Sequence, residues 1–288
     1  MSNRIDILKT YKTYVGGAFP RSESGHTYAL KNKSGDTIAN VCRCTRKDVR
    51  DAMVKARAAQ KGWQNRSAYN RGQILYRIAE MLEGRKEQFL NEMDQMGINK
   101  KTALQEVELS IDRLIYYAGW TDKISQVYGS VNPVASSHFN FSLPEPTGVV
   151  GIVAPQESPL LGLVSMMSPV IAGGNSALIL ASEDYPLSSV SFGEVLHASD
   201  VPGGVVNILT GYQNEMISHL SSHMDLNGVF NANKDADIRK QIDENCALNI
   251  KRRRHLTDDI DWTNIDQEHP YYIMDFQEIK TTWHPVGV

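Results

Sequence analysis

Cysteine is scarce in this chain: there are three, Cys42, Cys44 and Cys246. An odd, sparse set builds no disulfide framework and points to a reducing compartment. The Cys42-x-Cys44 spacing is too tight for the usual zinc or redox pairs, so all three read as structural. Long apolar runs are missing too. The longest lie near residues 149–154 and 177–181, far short of the ~20 residues that cross a bilayer. The opening MSNRIDILKTYKTY lacks the continuous apolar stretch of a secretory signal. Neither sign of charge dominates, because 30 Lys and Arg against 33 Asp and Glu leave a formal net charge of −3. Nothing in that balance draws the chain in bulk to nucleic acid or an anionic membrane. Internal repeats and low-complexity tracts are absent as well. The expectation is a cytoplasmic protein with no nucleic-acid and no membrane partner.

What is present is patterned. Gly16-Gly17, Ser24-Gly25 and Ser34-Gly35 punctuate residues 11–44 as turns between short strands. Thr45-x-x-Asp48 starts a helix in the manner of a capping box, with Val49, Ala52, Met53 and Ala56 on one face. Ile74, Ile78 and Leu82 mark a second helix, Phe89, Leu90 and Met93 a third. Val107, Ile111, Leu114, Ile115 and Ala118 mark a long fourth. Residues 124–146 change character, and Phe139-x-Phe141-x-Leu143 has the period of a strand, so this stretch reads as an extended arm or hairpin. Strands then alternate with helices: 149–153, 176–180, 205–209 and 226–230 against 160–171, 187–198, 213–221 and 235–246. That rhythm predicts βαβ units and a doubly wound, Rossmann-like parallel sheet with flanking helices, its crossovers right-handed. The charged residues 251–268 read as a linker, and 271–288 as one more strand.

Six segments carry a family likeness: YVGGAF, RGQILYRIAEMLEGRKEQF, YYAGWTDKI, EPTGVVGIVAP, AGGNSALILASEDYPL and VPGGVVNILTG. In these the chain resembles the aldehyde dehydrogenase superfamily, from about Tyr14 to Arg252 and again in the C-terminal strand. The resemblance implies a dinucleotide-binding domain over residues 1–123 and 147–268, and a β-strand oligomerisation arm over 124–146 and 269–288. The family's catalytic cysteine lies in a separate domain beyond the last matching segment. Here the arm-like strand follows almost directly after the linker, as though that domain were excised. The chain also looks like the degenerate second module of two-module dehydrogenases of this superfamily.

The family's chemistry needs a thiolate, an oxyanion hole, a hydride acceptor and a general base. Its oxyanion amide is the asparagine of Pro-Trp-Asn-Phe-Pro. Here the run is Pro155-Gln156-Glu157-Ser158-Pro159, and an ionised Glu157 donates no hydrogen bond. The ribose-binding run Lys-Pro-Ser-Glu is Leu180-Ala181-Ser182-Glu183, which keeps the glutamate and loses the lysine. Gln213 and Ile217 stand where the family commonly places glycine, near the pyrophosphate and a helix N-terminus. Phe-Thr-Gly-Ser becomes Phe230-Asn231-Ala232-Asn233, followed by Asp235 and Asp237. The general base of Glu-Leu-Gly-Gly aligns with Leu256 in Leu256-Thr257-Asp258-Asp259. Cys246 matches no nucleophile motif. The vestigial cofactor positions are therefore Val153, Ala154, Pro155, Gln156, Ser182, Glu183 and Phe230, with no catalytic residue. NAD or NADP is possible by family, with weak or absent binding. His219 and His223 have the spacing of a helical metal pair, but two ligands do not make a site. The basic run Lys251–Arg254 reads as a solvated face.

These readings converge on a non-catalytic subunit acting through homo-oligomerisation or hetero-oligomerisation with an active dehydrogenase. The arm is expected to drive assembly, burying its apolar face, while the core survives without it. Two alternatives stand beside this one: an NAD(P)-dependent aldehyde oxidoreductase component active only with a partner chain, and a nucleotide-sensing module.

Overall fold

Five strands, three of them rich in Val, Ile and Leu, form the central sheet of the computed structural model, which describes residues 7–256 and 260–287. The N-terminal six residues and Thr257–Asp259 of the base-aligned run lie outside the described residues. Chain order gives β1 (Thr10–Tyr11), β2 (Thr27–Lys31), β3 (Thr37–Cys42), α1 (Arg46–Gln64), α2 (Ala68–Glu83), α3 (Lys86–Gln95), α4 (Lys100–Trp120) and α5 (Ile124–Tyr128). Then come β4 (Ser130–Asn132), β5 (His138–Pro146), β6 (Val149–Val153), α6 (Leu161–Ala172), β7 (Ser176–Leu180), α7 (Pro186–His197) and β8 (Val206–Leu209). The chain closes with α8 (Gln213–Ser221), β9 (Gly228–Asn231), α9 (Ala236–Ala247), β10 (Arg252–His255), α10 (Tyr271–Met274) and β11 (Gln277–Pro285).

The sheet runs β10-β9-β6-β7-β8, all parallel. Strands buried on both faces need no apolar–polar alternation, and β6 and β7 are buried at every residue. Alternate side chains still go to opposite layers. Val150 and Ile152 join the core formed with α2, α4, α6 and α7. Val149 and Val153 meet Met53 of α1, Leu220 of α8 and Ile242 of α9 on the other side. At Gly151 an added Cβ would lie 3.0 Å from Leu220, so the missing side chain lets α8 approach the sheet. The outer edge of β8 is covered by an antiparallel bridge from Tyr14 to Ile208. The N-terminal strands form a separate sheet, β1-β3-β2.

The fifth strand departs from the sequence expectation. The basic run read as a linker is β10, because an edge strand needs only one partner and its arginines each find an acid. Arg252 pairs with Glu278, Arg253 with Asp243 and Arg254 with Asp275. The linker that remains, residues 260–269, is tied down by α4. Buried Arg113 donates through Nη2 to the carbonyls of Trp262 and Asn264 at 3.0 and 2.8 Å, and Tyr117 bonds His269.

A three-stranded antiparallel sheet, β11-β5-β4, stands apart from the central one. Residues 124–128, expected to be extended, form the short helix α5 instead. The first residues of the tail belong to the core: Ile273 is 1% and Phe276 0% exposed. Phe276 stacks on Phe230, ring centroids 5.3 Å apart. The strand β11 thus begins at Gln277, and a cut at 271 would open the core. Its apolar face points outward: Val131, Phe139 and Leu143 are 69%, 48% and 38% exposed. On the opposite face short polar chains bond one another, Asn132 to Asn140 and Ser142, and Ser142 to Thr281, which keeps Asn140 and Ser142 buried.

Candidate functional site

From β6 the chain winds to β7 and β8 on one side, then returns to place β9 and β10 on the other. Such reversals open a crevice beyond the carboxyl ends of the strands, where open α/β sheets place ligands. The loops that end β6, β7, β8 and β9 meet there. They bring Ala154, Gln156, Ser182, Glu183 and Gln213 into one hydrogen-bonded set, with Pro155 packed beside it on Gly162 and the Val153 side chain in the core beneath.

The β6 loop is fixed from below by Glu106 of α4. Its carboxylate accepts from Ser158 Oγ at 2.7 Å and from the amides of Leu160 and Leu161 at 3.1 and 3.0 Å. Those amides open α6, so Glu106 satisfies donors that the helix leaves unpaired. Burial raises the Glu106 carboxyl above its ordinary value, against the lowering by its three donors. Sequence reasoning missed Glu106, although Glu106, Ser110 and Arg113 lie on the buried stripe of α4 and that spacing was readable. Pro155 closes over Gly162, where an added Cβ would lie 2.3 Å from its ring.

Gln156 ties the β6 loop to the β7 loop. Its Oε1 accepts from Ser182 Oγ and from the amides of Glu183 and Asp184, at 2.9, 2.9 and 3.3 Å. Glu183 in turn accepts from the backbone amide of Gln213, the first residue of α8, at 2.8 Å. The Gln213 side chain is directed inward and is 2% exposed. Its Nε2 donates to the carbonyls of Ala154, Ala181 and Leu180 at 2.8, 3.1 and 3.4 Å. Its Oε1 accepts from Asn233 at 3.2 Å. Across the opening, Lys234 and Glu157 form an ion pair at 2.7 Å. At α9, Asp235 accepts from the amides of Asp237 and Ile238.

Phe230 is the exception among the residues expected here. It lies on β9, but its ring turns to the core, between Tyr272 and Phe276. Leu256 is also core, 4% exposed, its side chain packed in the apolar cluster and its hydrogen bonds made through backbone. Burial raises two of the thiols: Cys44 well above its ordinary value, and Cys246 up to about 11. A thiol so shifted is a poor nucleophile near neutrality. His219 and His223 line a surface depression with Arg46, Lys47 and Arg50, and among the described residues no third ligand joins them. No described helix is long and apolar enough to cross a membrane.

The model of the aldehyde dehydrogenase family matches residues 19–254. Aldehyde dehydrogenase, cytosolic 1, of Elephantulus edwardii is 31% identical over 249 residues, which cover 84% of this chain and 49% of that protein. The cytosolic 10-formyltetrahydrofolate dehydrogenase of Mus musculus is 30% identical over 259 residues, 86% of this chain and 28% of that one. Among solved structures, the NAD+ complex of an aldehyde dehydrogenase from Bacillus cereus superposes with a TM-score of 0.80 at 26% identity. It covers 85% of this chain and 50% of that one. This chain spans about half the length, or less, of the relatives it matches.

Proposed function

Because the chain belongs to the aldehyde dehydrogenase family, we propose that it serves as a non-catalytic subunit that associates through its arm. The observation that carries this is the arm itself: three strands in register, with Val131, Phe139 and Leu143 facing solvent. A small sheet that exposes both an apolar face and unpaired edges is marginal alone and gains from a partner. The occupant proposed for that face is a second copy of the chain, and an active dehydrogenase of the same family is the alternative partner.

The cofactor reading follows the same line. NAD is named in the Bacillus cereus complex, and Glu183 is the ribose contact that the family resemblance keeps. Its carboxylate is bonded to the Gln213 amide, Leu180 offers no donor, and Gln213 fills the space between Ala154 and Asn233. These residues do not fit a dinucleotide, and in this reading binding is weak or absent.

Charge on the outward face tests the association. Phe139→Glu with Leu143→Glu leaves the core untouched and should lower the mass measured by light scattering to that of one chain. An unchanged oligomeric mass would remove the arm from assembly and with it the main support for the subunit reading.

A further inference from the structure

We infer that the dinucleotide crevice is shut by the chain's own groups, with the Gln213 side chain as the plug and internal carboxylates in the places a phosphate would take. The inference rests on the family reading above and concerns why the site is closed. Three helices begin at this end of the sheet with a carboxylate already on their amides: Glu106 on α6, Glu183 on α8 and Asp235 on α9. Helix N-termini attract anions through those unpaired amides and the helix dipole. Here each is satisfied by an acid of the same chain, and a phosphate arriving at α8 would meet the charge of Glu183. A tethered group competes at high effective concentration.

Gln213 completes the closure. Both ends of its amide are bonded within the crevice, to strand-end carbonyls on one side and Asn233 on the other. It links the loops after β6, β7 and β9, the loops between which a dinucleotide would lie. Gln156 holds the Glu183 loop in place through three hydrogen bonds, so the α8 amide keeps its carboxylate. Exclusion therefore comes from occupancy, over and above the loss of recognition groups such as the lysine replaced by Leu180.

Calorimetric titration of the full chain with NAD distinguishes occupancy from lost recognition. Gln213→Gly empties the crevice, Gln213→Ala does so with less disturbance of α8, and Gln213→Met keeps the volume without the hydrogen bonds. The expected result is a gain in affinity on the order of tenfold or more for the folded Gly or Ala variant over the native chain, with no gain for Met. Circular dichroism identifies which variants are folded, and Gln213→Ala decides if Gln213→Gly is not. The inference is overturned if the native chain binds NAD as tightly as the Ala variant, if the folded Ala variant gains nothing, or if Met gains as much as Ala. Failure of the association reading would appear separately, as an unchanged mass in light scattering.

Discussion

Glu106 is a charge placed where an apolar residue would be expected, and its position has a cost that depends on pH. Its carboxyl is raised above the ordinary value of 4.5, chiefly by burial. A carboxyl raised in the folded state holds its proton more tightly there than in the unfolded chain. Its contribution to stability is therefore full below the unfolded value and declines as pH rises through the folded one. Glu106→Gln can accept the amides of Leu160 and Leu161 through Oε1 and donate to Ser158, and it cannot ionise. Urea unfolding across pH should show the variant losing less stability than the native chain as pH rises above 4.5. Parallel curves would mean that Glu106 does not titrate in that window. At this scale the sequence is legible in part. Gln213 and Leu180 are visible as misfits against the family pattern, but the direction of the Gln213 side chain is set by three carbonyls at two strand ends, which no local pattern records. Phe230 shows the opposite case. Its parity on β9 sends it to the layer opposite Val229, and strand alternation decides between core and crevice once the strand's layers are known.

Among the elements, those with strong periodicity are readable and those held by distant partners are not. The helix spanning residues 213–221 agrees with α8 end to end, and 149–153 and 176–180 agree with β6 and β7. The β10 strand escapes because Arg252, Arg253, Arg254 and His255 have the look of a solvated run. Their acids, Glu278, Asp243 and Asp275, come from α9 and the tail. The apolar period of β5 is read correctly as a strand, and the face it marks, expected to be buried by association, is open in the single chain. Which face a strand buries is decided by what packs on it, and here the hydrogen-bonded polar chains occupy the covered side. The seam between sheet and tail gives a sharp prediction. Gly228 on β9 leaves room for Phe276, and an added Cβ would come within 2.9 Å of its ring. Gly228→Ala should therefore destabilise the protein by about 1–3 kcal/mol through overpacking, read as a lower denaturation midpoint. An unchanged midpoint would show that the Phe276 ring is free to move.

For the molecule as a whole, the alternation of strands and helices was enough to announce a parallel doubly wound sheet, and the six family segments enough to place it in the dehydrogenase fold. The proposed assembly lies beyond sequence reading, since an outward face carries no name for a partner. The chemistry leads to a further expectation. With Cys246 raised to about 11, Cys44 raised well above its ordinary value by burial in the core, and Leu256 at the position aligned with the family's base, the isolated chain should oxidise no aldehyde. Following cofactor reduction over a panel of aliphatic and aromatic aldehydes checks this. Turnover that vanishes in Cys246→Ala would make that thiol the nucleophile and overturn the non-catalytic reading.

The arm is fastened to the core in two unlike ways. Phe276 is sunk between Phe230 and the space above Gly228, while Arg252 and Arg254 reach across to Glu278 and Asp275 through partly exposed ion pairs. Dissolved salt acts on these in opposite senses. Near 1 M the screening length falls to about 3 Å, so the ionic fasteners fade, whereas apolar burial is preserved and, in sulfate or phosphate, strengthened. Exposed pairs contribute only about 0–1 kcal/mol each to begin with. The root of the arm is therefore insensitive to ionic strength. In the association proposed above, any salt dependence originates at the outer strand β11, where Lys280 and His284 lie in register beside Leu143 and Phe139.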